Sequence, residues 1–212
     1  MKITVFGATG GTGTHVVGQA LAAGHDVTAV VRGATRPEVP ADSRLYVAEA
    51  PLGDPDALVP LVTGRDAVIS ALGARGRGPT TVCADGARSI TTAMRTAGGG
   101  RLVVVSASGA HTTGDGPATR LLVKPMLRRM LRHQFADMLA MEEVVRCSGL
   151  DWTIVLPPRL TNGAPTGKPV RSRVGGNVRG GFTIARADLA EFLLLAAADP
   201  GLVHTSVSVA HG

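Results

Sequence analysis

Seven short apolar runs separated by helix-like segments govern what this chain can fold into. KITVF, HDVTAVV, RLYVAEA, DAVISAL, RLVVVSA, WTIVL and TSVSVA alternate with helical patterns over residues 14–23, 55–62, 81–97, 137–147 and 186–198. A strand with one wet face alternates apolar and polar residues. These runs are apolar almost continuously, so both of their faces are covered. Strands of that kind joined by helices form a parallel sheet with helices on either side. Helix punctuation agrees: Asp54-Pro55 is a cap followed by proline at the first helical position, and Gly24 and Gly149 close helices. The fold expected is α/β, a doubly wound, Rossmann-like parallel sheet with a small C-terminal cap on the substrate side.

At 212 residues, without an internal repeat or a linker, the chain reads as a single domain over 1–212. With 44% hydrophobic and 18% charged residues it is globular rather than disordered. No apolar run reaches the length of a membrane span, and the N-terminal MKITVFGATG does not read as a signal peptide. Cys83 and Cys147 lie far apart and suit a reducing cytoplasm. The net charge is +6 and 19 of the 22 basic residues are arginine. With aromatics at 3% there are few platforms for stacking bases, which argues against a nucleic-acid partner. An anionic small ligand accounts for the charge, as does mere GC-rich codon usage.

The motif GATGGTG, residues 7–13, joins the first strand to the first helix. Gly7 makes the tight turn, Gly10 lets the backbone approach a pyrophosphate, and Gly13 lets the helix pack closely. N–H groups around Gly11 at the helix start then hold phosphates, with hydroxyls available from Thr9 or Thr12. An ordinary glycine turn would not need this strand–turn–helix context. The second strand ends VTAVVRG, placing Arg32 where an NAD site carries a carboxylate on the ribose. A guanidinium can pair with a 2′-phosphate through two parallel hydrogen bonds, and Arg36 is near enough to help. The cofactor expected is NADP(H). Leu72 and Gly73, at the end of the fourth strand, fall beside the nicotinamide ribose. Arg75 and Arg77 follow as solvated side chains or as substrate contacts.

Together VFGATGGTG, VTAVVRG, DAVISALG, PTTVCADGARSITTAM, VVVSAS, SGLDWTIVLPPRL and ADLAEFLL resemble the atypical short-chain dehydrogenase/reductases that include flavin reductase (biliverdin-IXβ reductase). The matching blocks run nearly end to end. The resemblance implies one NADPH-binding domain that transfers hydride to flavins, quinones or tetrapyrrole-like acceptors, with Pro157 at the cofactor. Two departures matter. Ala50-Pro51 stands where relatives commonly carry Gly-Asp near the adenine, and Arg159 follows Pro-Pro where a histidine can stand.

Reductases with a Ser-Tyr-Lys set protonate a carbonyl through the tyrosine. Here the one tyrosine is Tyr46, on the third strand, and no Y-x-x-x-K occurs. That mechanism is excluded. Conjugated acceptors need little protein acid, because they take hydride into a ring and collect protons from water. Ser106 and Ser108, in VVVSASGAHTTGDG, either cap a strand end or serve the reaction, Ser106 at the nicotinamide and Ser108 more weakly. Glu142-Glu143 reads as a solvated pair or a helix salt bridge, more than as a catalytic carboxylate. The six histidines show no metal spacing, and His111 and His133 flank the expected cleft.

TRLLVKPMLRRMLRH places Arg120, Lys124, Arg128 and Arg132 on one helical face, read as the solvated side of a helix closing over the pocket. Pro125 should delay or kink that helix. The Gly-, Pro- and Arg-rich stretch 157–181 reads as an irregular substrate-side loop. With Arg159, Lys168, Arg171, Arg173 and Arg179 it suggests a conjugated, anionic small-molecule substrate, neither nucleic acid nor membrane. A monomer or homodimer is expected. Two other classes fit the same residues: an NmrA-like cofactor sensor without catalysis, and an isomerase or epimerase using bound cofactor.

Overall fold

The computed structural model describes residues 1–74, 76, 78–116, 121, 124–163, 165–167 and 169–211. All seven apolar runs are strands. In chain order the elements are β1 (Lys2–Phe6), α1 (Gly11–Ala22), β2 (Asp26–Val31), β3 (Leu45–Glu49), α2 (Pro55–Val62), β4 (Ala67–Ser70), α3 (Val82–Thr96) and β5 (Arg101–Val105). They continue as α4 (Lys124–Met130), α5 (Arg132–Arg146), β6 (Asp151–Leu156), β7 (Arg159–Thr161), β8 (Arg171–Val174), β9 (Thr183–Ala185), α6 (Arg186–Ala198) and β10 (Thr205–Ala210).

The sheet order is β3-β2-β1-β4-β5-β6-β10-β8, parallel throughout except for β8, which pairs antiparallel with β10. Alternation along each strand feeds two apolar layers. In β5, Val103 and Val105 join Ile3, Val5 and Val155 beneath α1 and α6, while Leu102 and Val104 join Val68 and Ile154 beneath α2, α3 and α5. Asp54 caps α2 as expected, accepting from the Asp56 and Ala57 N–H groups. Chain order runs outward both ways from β1 and β4, so the sheet has its switch point there. Ligands of doubly wound sheets bind at that point, beyond the carboxyl ends of the strands.

The elements depart from expectation in three places. The first helix begins at Gly11 rather than residue 14, because its opening glycines lie within the first turn. The fifth begins at Arg132, five residues early, after α4 has taken up Pro125 in its own first turn. The 157–181 stretch is not irregular throughout. It carries β7, which pairs with β9, and β8, which extends the main sheet. All four β8 residues are exposed, so no apolar pattern announced the strand. Asp188, buried in the first turn of α6, pins this strap by accepting from Thr166 N and Oγ1 (both 3.0 Å) and from His211 Nε2 (2.6 Å).

Candidate active site

A groove lies at the switch point, lined by Gly7, Thr9 and Gly10 after β1, Arg32 after β2, Ala50 and Leu52 after β3, and Leu72 and Gly73 after β4. Gly7 sits at φ 74°, and a Cβ there would fall 2.6 Å from the Ala71 carbonyl oxygen. A Cβ on Gly13 would lie 2.1 Å from the Gly7 oxygen, so the helix closes on the turn only because it is glycine. No side chain caps α1 at Gly10. The neighbouring α3 N-terminus is different, because buried Asp137 of α5 accepts from its Cys83 and Ala84 N–H groups at 3.0 and 2.9 Å. Of these two helix starts, α1 therefore keeps its N–H groups free for phosphate. Arg186 of α6 stands beside it, with its Cδ 2.8 Å from where a Gly11 Cβ would be, and its guanidinium bonds Asn162.

Beyond β5 and β6 a second cavity of about 800 Å³ opens. Ser106, Ala107, Ser108, Pro157 and Pro158 form its sheet side. Leu127 comes from α4, Leu131 from the junction of α4 and α5, Phe135 and Met138 from α5, and Leu160, Val178 and Phe182 from the strap. Its wall contains no tyrosine. Arg159 and Arg179 are exposed residues of the same wall.

Behind Ser106 lies a buried charge: of the two readings of Glu142 the helix salt bridge holds, to Arg146 four residues on, and solvation does not. Glu142 is 0% exposed. Its Oε1 accepts from Ser106 Oγ at 2.5 Å and pairs with His111 Nε2 at 2.9 Å, and its Oε2 accepts from Arg146 at 2.7 Å. Burial alone would raise its pKa. The hydrogen bonds from His111 and Ser106, the His111 charge and the Arg146 donor outweigh burial and hold it below the ordinary carboxylate value. Lys124 is likewise buried, at 5% exposure, rather than on a solvated stripe. Its ammonium donates to the carbonyls of Ser108 (2.5 Å) and His111 (2.6 Å) and pairs with Asp115 Oδ2 at 3.3 Å. Burial lowers its pKa against the opposing pull of Asp115, with Arg128 adding to the lowering. Arg128 donates to the Ala110 carbonyl at 2.8 Å. The basic helix thus holds the 108–111 turn in place.

The groove, its glycine cradle and its uncapped helix are features of dinucleotide-binding proteins, and residues 7–200 match the NAD(P)H-binding family. The chain belongs to that family. An uncharacterised Bacillus subtilis protein, YwnB, is 26% identical over 199 residues, spanning 90% of this chain and 89% of its own. Two solved structures share the fold. A candidate NADH-flavin reductase from Streptococcus pneumoniae is 23% identical with a TM-score of 0.80, covering 100% of both chains. A short-chain dehydrogenase/reductase from Veillonella parvula, solved in complex with NADP, is 21% identical with a TM-score of 0.81, covering 99% of this chain and 94% of its own.

In this NAD(P)H-binding protein the groove suits a nicotinamide cofactor, since α1 opens uncapped at Gly10 and the tight turn at Gly7 and Gly13 brings that helix start to its edge. Gly11, Thr12 and Gly13 form the first turn of α1, where Thr12 is buried. Arg36 is exposed and outside the groove wall. Ser106, Ser108, Pro157 and Arg159 line the cavity. His111 lies behind the wall on Glu142, and exposed Arg132 donates to His133. Arg171 and Arg173 are not in the cavity wall. On β8 they donate to the carbonyls of Arg179 and His211, and of Asn177, so they brace the strap. Arg75, Arg77, Arg120 and Lys168 lie outside the described residues. Sequence reasoning named Glu142 and Lys124 without their buried contacts and gave no role to Asp115, Asn177, Asp137 and Arg186. One signal for Glu142 was present: Phe135, Met138, Glu142 and Val145 follow the 3–4–3 spacing of a single helix face, which leaves Glu143 outside.

Proposed function

We propose that this protein is an NADPH-dependent reductase that passes hydride to a conjugated aromatic acceptor, a flavin, quinone or similar ring, without a tyrosine–lysine acid pair. The observation that carries the reading is the 800 Å³ apolar cavity beyond β5 and β6, with no tyrosine in its wall, next to the dinucleotide groove. The NADP complex of the Veillonella relative and the flavin-reductase name of the Streptococcus relative support it.

When bound, the cofactor supplies the hydride. The glycine turn and the start of α1 hold its phosphates, with Arg186 adding a cation beside them. Arg32 pairs with the 2′-phosphate, and no carboxylate among the described residues pairs with it first. Ser106 and Pro157 form the wall on which nicotinamide and acceptor meet. The leucines and Phe135 orient a flat ring and exclude water from it. Ser106 has committed its proton to Glu142, so it offers ligands an oxygen lone pair and does not replace the missing tyrosine as an acid.

The test is anaerobic NADPH oxidation with FMN, FAD, simple quinones and biliverdin, with NADH in parallel. Turnover of at least one acceptor with NADPH strongly preferred is expected. Tight NADPH binding without oxidation across the panel overturns the reading in favour of a cofactor sensor.

A further inference from the structure

Arg186 is a cation without a counter-ion, placed where the charge is already positive. It is half-buried and forms none of the ion pairs among the described residues. It is the first residue of α6, and neither α6 nor the adjacent α1 has a side-chain cap at its N-terminus. A helix start carries partial positive charge, so a cation there is disfavoured until an anion joins it. The carboxylate in the first turn of α6, Asp188, is committed to Thr166 and His211.

The same side chain joins the glycine turn to the strap. On one side its Cδ and Nε lie 2.8 and 2.9 Å from where a Gly11 Cβ would stand, so it occupies room that only a glycine leaves in the first turn of α1. On the other its Nη1 donates to Asn162 Oδ1, the one side-chain hydrogen bond that either residue makes among the described residues. Asn162 is exposed and directly follows β7, whose Arg159 and Leu160 line the large cavity. Strand β7 pairs in turn with β9, which runs straight into Arg186. The remaining guanidinium N–H groups have no acceptor among the described residues and are free for an anion.

We propose that Arg186 pairs with the pyrophosphate of the cofactor and, by holding Asn162 at the same time, fixes β7 and the cavity wall it carries. Cofactor binding then prepares the large cavity for its own ligand, and the order of binding is cofactor first. The pyrophosphate is the anion concerned because α1 opens beneath the guanidinium, and in dinucleotide-binding folds that helix start holds the pyrophosphate. Coupling of this kind is reciprocal, so a ligand that settles against β7 also tightens the cofactor. The inference rests on membership of the NAD(P)H-binding family and not on the reductase reading, since no hydride transfer enters it.

The experiment titrates the full chain with NADP+ by calorimetry and follows amide hydrogen exchange over residues 159–163 with and without it. In the wild type, NADP+ should slow that exchange. Arg186→Gln should weaken NADP+ binding about tenfold, the order of one hydrogen bond to a charged group, and abolish the slowing even at saturation. Arg186→Lys keeps the charge but loses the planar fork, so it should recover part of the affinity and none of the slowing. Asn162→Ala, at an exposed position that the fold tolerates, should bind NADP+ as the wild type does and still lose the slowing. No slowing in the wild type, unchanged affinity in Arg186→Gln, or slowing that survives Asn162→Ala overturns the inference and leaves Arg186 as a clamp between α1 and the strap. Each result holds whether or not NADPH is oxidised, which the acceptor panel decides separately.

Discussion

Glu142 holds a buried charge behind the cavity wall, and its three partners explain why the charge persists. Its pKa is depressed in the fold, so the carboxylate stabilises the native state fully above the unfolded value of about 4.3. That contribution disappears as pH falls through the depressed value. Glu142→Gln should cost about 1–3 kcal/mol near neutral pH, from the weakened bonds to Ser106, His111 and Arg146. In urea melts the gap from wild type should stay level down to about pH 5 and close in stronger acid. A gap independent of pH would mean the charge is not what binds these residues together. Arg32 makes a separate claim. Arg32→Ser should raise the KM for NADPH roughly tenfold or more and leave that for NADH unchanged, in steady-state assays of both. Glu142 was legible in part, through helix phase. Lys124 and Asn177 were not, because their partners are backbone carbonyls and Asp115, contacts that no periodicity encodes.

At the scale of elements, strands were easiest to read. A buried parallel strand declares itself by unbroken apolarity, as in Leu102–Val103–Val104–Val105. Strand β8 had no such signal, since its side chains face solvent and only its backbone pairs with β10. Helix starts were also hard to read when the cap came from elsewhere. Thr81 stands before α3 without capping it, and Asp137 does so from α5. Asp137→Ala should therefore destabilise the fold by about 1–2 kcal/mol in urea denaturation while leaving NADPH oxidation per folded molecule intact. Cys83, at the same junction, has its thiol pushed up to about 12 by burial, with the Asp137 charge adding to it. A native thiol titration should accordingly find exposed Cys147 reactive and Cys83 silent, with both reacting in denaturant.

Across the whole molecule the labour divides at the switch point. The β3–β2–β1–β4 half shapes the groove at the switch point, and β5, β6, the α4–α5 pair and the strap shape the larger cavity proposed to hold the acceptor. The net charge of +6 belongs to this scale, since a net positive charge favours approach of anionic ligands in general. The central claim is that hydride passes directly from cofactor to a ring held in the cavity. The measurement that tests it most directly is anaerobic single-turnover oxidation of NADPH deuterated at C4, on one face at a time, with a flavin acceptor. A primary isotope effect from one face and not the other is the predicted result. Bound NADPH that is oxidised no faster than in buffer, with either label, would contradict it.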